Sequence, residues 1–192
     1  MTPPRLFLDV GSPYAYLAAE RAPRLLPEAV WEPVLLGGIF RATGRSSWAR
    51  TDAREDGMRE VERRALAYGL PPVVWPEPWP GDMLVAMRAA TAAARLGAAR
   101  PFLLAALRLG FRDGRDLSER DAVLDAARAA GLDAAAVDAM VDDPEVKAEL
   151  RARTDAALAL GVTGIPTAAV GDALFWGDDR LDEAAAAATA AR

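Results

Sequence analysis

The 192-residue chain contains no cysteine and no histidine. Those absences remove thiol nucleophiles, Cys-x-x-Cys redox chemistry, imidazole acid–base catalysis and nearly every zinc site. Any thiol chemistry must therefore be carried by a bound small molecule. No apolar run is long enough to cross a bilayer, and the apolar stretch after Met1-Thr2-Pro3-Pro4-Arg5 is too short for a signal-peptide core. A soluble, cytoplasmic protein without membrane partners is expected. Basic charge is also short: a net charge of -5 argues against a nucleic-acid surface, although a local basic pocket could still hold an acidic small molecule.

At this length the chain can build one sizeable core, or a small domain with a second lobe inserted into it. The stretch Asp9-Val10-Gly11-Ser12-Pro13-Tyr14-Ala15-Tyr16-Leu17 organises the rest. Leu6 to Val10 reads as a short buried strand, Gly11 allows a sharp turn, Ser12 is a good N-cap and Pro13 suits the first helical position. Ser12 thus stands at the positive end of a helix, where free N–H groups and the dipole favour a thiolate, carboxylate or phosphate. Capping alone accounts for this serine equally well.

The first helix is expected to run to about Leu25, with Pro23 a kink and Pro27 a stop. Ala29 to Leu36 is a second strand that Pro33 confines to a sheet edge or a bulge. This β-α-β unit places a ligand site near the turn holding Ser12. Arg45 to Gly57 reads as polar loop, Met58 to Tyr68 as a charged amphipathic helix, and Val73 to Gly81 as an extended wall carrying Trp75 and Trp79, whose simplest role is packing. Further helices follow: Leu84 to Leu96 after Asp82, Phe102 to Leu109 after Pro101, Ser118 to Ala130, Asp133 to Val141, and Pro144 to Leu160. Then Ala168 to Val170, a Gly171-Asp172 turn and Ala173 to Trp176 form a hairpin, and Gly177-Asp178-Asp179 caps a terminal helix from Arg180. The fold class is α/β, with β-α-β and β-β-α halves at 1–40 and 161–192 and an inserted helical domain at 41–160.

Two motifs, GSPYAYLAAER near the start and GVTGIPT followed by FWGDDRL near the end, with LLGGIFRATG between them, resemble the 2-hydroxychromene-2-carboxylate isomerases and their kappa-class glutathione transferase relatives. The resemblance implies a DsbA-like thioredoxin fold interrupted by a helical domain, with glutathione, or another low-molecular-weight thiol, as cofactor. It places Ser12 against the thiol sulfur as the catalytic residue and assigns cofactor contacts to Ile165, Pro166, Asp178 and Asp179. Ile165-Pro166 corresponds to the family's cis-proline loop, expected within contact distance of Ser12, and Asp179 to the acid that receives the γ-glutamyl amine. Helix capping is the simpler alternative for both aspartates. This chain departs from the family at Arg45, where relatives carry asparagine, at Arg54, the nearest cation where many have lysine, and at Asp82, where an asparagine is common. Arg45 and Arg54 are therefore the candidates for the cofactor's carboxylate end.

The reaction implied is cis/trans isomerisation of an aromatic pyruvate: a thiolate adds to the conjugated carbon, the new single bond rotates, and elimination restores the alkene. The protein must lower a thiol pKa from about 8.5, orient the sulfur and hold the substrate. Tyr14, Phe40 and Trp79, together with Arg45, are the candidates for that last task, although packing or solvation explains each of them as well. Alternatives are a kappa-like glutathione transferase or peroxidase, and a non-catalytic thiol binder. Disulfide exchange by the chain itself is excluded without a protein thiolate. The expected partner is a small aromatic molecule, and a homodimer is compatible with the sequence.

Overall fold

The computed structural model describes residues 2–191. Its first strand, β1 (Arg5–Leu8), buries Leu6, Phe7 and Leu8 almost completely. It ends two residues earlier than the apolar run suggests, because Asp9 turns the chain: its carbonyl accepts from Ser12 N at 3.2 Å and its carboxylate from Gly11 N at 2.8 Å. Helix α1 (Pro13–Leu25) follows, with Pro13 in its first turn and Ser12 as N-cap. Pro23 lies inside α1 close to its end and does not divide it.

Strand β2 (Val30–Pro33) pairs in parallel with β1, and Pro33 sits on the sheet edge as its missing N–H requires. The strand is shorter than its β-favouring sequence, since α2 (Leu36–Thr43) begins at once. Two distant side chains end it. Thr154 Oγ1 accepts from Leu35 N at 3.0 Å and Asp9 Oδ2 from Leu36 N at 2.7 Å, satisfying helix-end donors that no local residue caps. Gly44, at φ 67°, closes α2 in the left-handed conformation.

The expected loop from Arg45 to Gly57 is more ordered than its polarity implies. Trp48–Arg50 forms a 3-10 turn capped by Ser47, and α3 (Arg54–Ala67) starts four residues before Met58. An extended segment with Trp75 and Trp79 leads to α4 (Leu84–Arg95), α5 (Ala99–Phe111), α6 (Arg120–Ala129), α7 (Ala134–Val141) and α8 (Pro144–Ala159). Pro101 lies within the first turn of α5, where a missing N–H costs nothing. Ser118 does not cap α6; its hydroxyl and amide are both held by Asp116, and the helix starts at Arg120. Asp133 and Asp143 cap α7 and α8 through their side chains.

The chain then returns to the sheet. Strand β3 (Thr167–Val170) runs antiparallel to β1, and β4 (Ala173–Trp176) completes the hairpin, giving the order β2-β1-β3-β4. The last helix, α9 (Leu181–Ala190), has no side-chain cap, so neither Asp178 nor Asp179 plays the expected capping part. One continuous apolar core joins sheet and helices, with Phe7, Tyr16, Phe102 and Phe111 its largest fully buried members. Each aromatic or Leu side chain so buried contributes about 1.5–3 kcal/mol before entropy is subtracted. Among the described residues no helix is long and apolar enough to cross a membrane.

Candidate active site

A cleft of about 850 Å³ opens at the C-terminal end of β1, where the turn into α1, the start of α2, the Ile165–Pro166 loop and the turn between β4 and α9 converge. Its floor is Ser12, only 4 % exposed. The hydroxyl oxygen accepts from Ala15 N at 3.2 Å, and the hydroxyl has one remaining neighbour, Ile165 O at 3.5 Å, too long for a strong bond. The Ile165–Pro166 peptide is cis, so the sequence expectation for this loop and its closeness to Ser12 agrees with the geometry. Pro13 has no N–H, Ala15 N is taken by Ser12 Oγ and Tyr16 N by Ser12 O, which leaves the Tyr14 amide as the free donor at this helix end among the described residues. Ile165 N is likewise without a partner among them.

Behind the floor lies Asp9, 2 % exposed. Burial pushes its carboxyl up to about 6 from 3.8, against the two backbone N–H groups of Leu36 and Gly11 that favour the anion. This residue was not singled out from sequence, yet it ties the turn below Ser12 to the first turn of α2, which carries Leu36, Gly37 and Phe40 into the cleft wall.

The two aspartates of the β4–α9 turn divide their work. Asp178 is fully buried and accepts from Arg64 Nη1 and from the Tyr68 hydroxyl, both at 2.9 Å. Burial raises its pKa in spite of Arg64 and Tyr68. Its carboxylate raises the Tyr68 phenol in turn, adding to burial there, to about 12. Burial disfavours the Arg64 cation, but Glu60, Asp178 and Asp179 outweigh it and the guanidinium pKa rises. Asp179 is 54 % exposed at its side chain and pairs with Arg64 at 3.3 Å, so its carboxylate keeps room for a ligand. Arg64 looked in sequence like one more charge on a solvated helix; only the fold brings it to residues 114 positions away.

Aromatic rings form the opposite wall. Trp79 is nearly buried and packs its ring 5.3 Å from Trp48 and 4.6 Å from Trp75, while its Nε1 donates to Gly11 O at 3.4 Å. Tyr14 and Phe40 both line the cleft, and burial raises the Tyr14 phenol, keeping it a neutral donor. Arg45 lines the mouth, donating to Thr163 O at 3.3 Å and lying 4.5 Å from the Trp176 ring. Trp176 in turn covers Gly164 so closely that a Cβ there would stand 2.4 Å from its Nε1. Arg54, expected to meet the cofactor, is absent from the lining. Its guanidinium donates to Trp79 O at 2.9 Å and lies 5.7 Å from the centre of that ring, because α3 starts early and carries it against the tryptophan. Asp82 lines the cleft and accepts from Leu84 N at 2.9 Å through one of its oxygens. The sequence reading passed over Arg41 and Arg50, which also line the cleft. No group of His, Cys, Asp and Glu among the described residues could hold a metal ion.

The DSBA-like thioredoxin domain profile matches residues 5–188. The chain belongs to that family. Its relatives carry both isomerase and disulfide-reductase names. It is 28 % identical over 187 residues, 92 % of each chain, to 2-hydroxychromene-2-carboxylate isomerase of Sphingobium xenophagum. A solved 2-hydroxychromene-2-carboxylate isomerase superposes with a TM-score of 0.88 at 20 % identity, covering 99 % of this chain and 96 % of the other. The cytosolic disulfide reductase DsbM of Pseudomonas aeruginosa, solved with GSH, shares the fold at a TM-score of 0.65 and 19 % identity, covering 99 % and 97 %.

Proposed function

We propose that this DSBA-like protein is a glutathione-dependent cis/trans isomerase of 2-hydroxychromene-2-carboxylate-type aromatic pyruvates. The reading rests on one observation above the rest: Ser12, buried at the N-terminus of α1 beside the cis Ile165–Pro166 peptide, in a chain with no cysteine of its own. The residues fit the tripeptide. Ile165 offers an unpaired N–H and a carbonyl for an extended backbone, Asp179 a half-exposed carboxylate for an ammonium group, and Arg45 a guanidinium at the other end of the loop beside Thr163. Glutathione, when bound, supplies the nucleophilic thiolate that makes rotation about the conjugated bond possible.

The chain's own part is to favour that anion and to hold its partner. Ser12 Oγ–H, held only by the long contact to Ile165 O, is free to turn toward a sulfur; the Tyr14 amide and the helix dipole add positive potential at the same place. Tyr14, Phe40, Trp48 and Trp79 exclude water and present rings to an aromatic substrate. The isomerase likeness of the Sphingobium relative supports this chemistry over disulfide exchange, for which the chain has no thiol. Calorimetric titration with reduced glutathione, followed by an ultraviolet assay of chromene-carboxylate isomerisation in its presence, tests the reading. Saturable binding with thiol-dependent turnover is expected. No binding at millimolar glutathione overturns it, conjugation of a reactive aryl halide without isomerisation points to a transferase, and binding without either activity points to a thiol carrier.

A further inference from the structure

Four arginines line the cleft, and their engagements differ. Arg64 is committed to Asp178, Asp179 and Glu60, and Arg45 to Thr163 O and the Trp176 ring. Of the cleft's carboxylates, Asp9 accepts from Gly11 N and Leu36 N, Asp82 from Leu84 N and Asp178 from Arg64 and Tyr68, while half-exposed Asp179 pairs with Arg64 across the cleft from α2. Arg41 and Arg50 stand apart. Neither guanidinium group has a hydrogen-bond, ion-pair or ring partner among the described residues, whereas most other arginines have one.

Their placement is specific. Arg41 lies in the last turn of α2, next to Phe40, and Arg50 in the 3-10 turn that presents Trp48. Both residues line the cleft together with Phe40 and Trp48, their neighbours on the same two elements, which are separate from the β4–α9 turn that carries Asp178 and Asp179. A favourable position at the end of the α2 dipole explains a cation at Arg41, but any residue of that turn would serve and nothing in it requires facing the cleft. Two arginines and half-buried rings lining one cleft match a flat aromatic acid, the rings taking its body and the arginines its carboxylate by charge-assisted, forked hydrogen bonds.

We propose that Arg41 and Arg50 form the anion clamp of the cleft, selecting aromatic carboxylates over neutral aromatics of the same shape. The clamp rests on the reading of this cleft as the substrate site, but not on the identity of the thiol. A tripeptide carboxylate is the other possible source of the anion. Arg45, beside Thr163 on the loop that leads to Ile165, is the cation placed for it, which leaves Arg41 and Arg50 for the substrate.

The test is calorimetric titration of the glutathione-free protein with trans-cinnamate and with trans-cinnamamide, which differ in charge and hardly in shape. Wild type is expected to prefer cinnamate at least tenfold. Arg41→Gln and Arg50→Gln should each weaken cinnamate about three- to tenfold, and the double variant should abolish the preference while cinnamamide binds as before, which also shows that the cleft is intact. Arg→Lys at both positions should restore part of it. Equal affinities in wild type, an undiminished preference in the double variant, or a loss confined to glutathione affinity would each overturn the clamp. Failure of wild type to bind glutathione with the cinnamate preference intact would remove the thiol reading and leave the clamp standing.

Discussion

Replacing Asp9 by asparagine separates the electrostatics of the cleft from its shape. In the folded protein the Asp9 carboxyl is raised to about 6 from 3.8 by burial, so between those values the folded state holds a proton that the unfolded chain has released. Its contribution is therefore fully favourable below the unfolded pKa and is lost as the pH rises through about 6, the reverse of an ion-paired carboxylate. A shift of about 2 units corresponds to about 3 kcal/mol. Asparagine does not titrate; its one accepting oxygen can serve only one of the Gly11 and Leu36 amides, which use different oxygens of Asp9, and the loss of the other bond is independent of pH. Urea unfolding of both proteins at about pH 4.5 and about pH 7.5 should show wild type losing most of that 3 kcal/mol relative to Asp9→Asn. The comparison cancels every other titrating group common to both proteins. Stability curves that stay parallel across this range would refute the argument, and would mean that the two backbone N–H bonds offset burial in full.

The neighbouring aspartates should behave oppositely to each other. Asp178→Asn, which breaks buried bonds to Arg64 and Tyr68, is expected to lower stability by about 1.5–3 kcal/mol in thermal melts. Asp179→Asn should leave stability within about 0.5 kcal/mol while weakening glutathione about three- to tenfold; equal effects in both variants would contradict the division of roles. Gly57→Ala in α3 gains as much as about 1 kcal/mol of helix propensity, but its Cβ would stand 2.3 Å from the Trp48 ring. A lower melting temperature with altered tryptophan emission is expected, and a more stable variant with unchanged emission would show that the cleft wall tolerates the shift.

Local signals made much of the fold readable. Ser12 before Pro13, the glycines that close helices, and Gly171-Asp172 between two apolar runs each act within a few residues, and each marks a boundary close to where the structure has one. The cis-proline loop was legible only through the likeness of GVTGIPT to a family motif. What the sequence hid are partnerships across the chain. The early end of β2 depends on Asp9 and Thr154, which reach amides 27 and 119 positions away. The same holds for Arg64 with Asp178, and for Arg54, whose engagement with Trp79 follows from a helix start that its polar neighbourhood conceals. A solvated arginine and a cleft arginine are alike in sequence, so Arg41 and Arg50 became distinct only when their place in the cleft lining could be seen.

The central claim is that Ser12 and the α1 N-terminus stabilise a bound thiolate, and the pH titration of thiolate absorbance for glutathione bound to wild type and to Ser12→Ala tests it most directly. A hydrogen bond to a charged group contributes about 1.5–3 kcal/mol, so the bound thiol's pKa should rise by about one to two units in the variant, with glutathione still bound and activity partly recovered at higher pH. Coincident titrations accompanied by a melting point lowered by the loss of an N-cap, about 0.5–2 kcal/mol, would show that Ser12 serves the helix alone and would contradict the account.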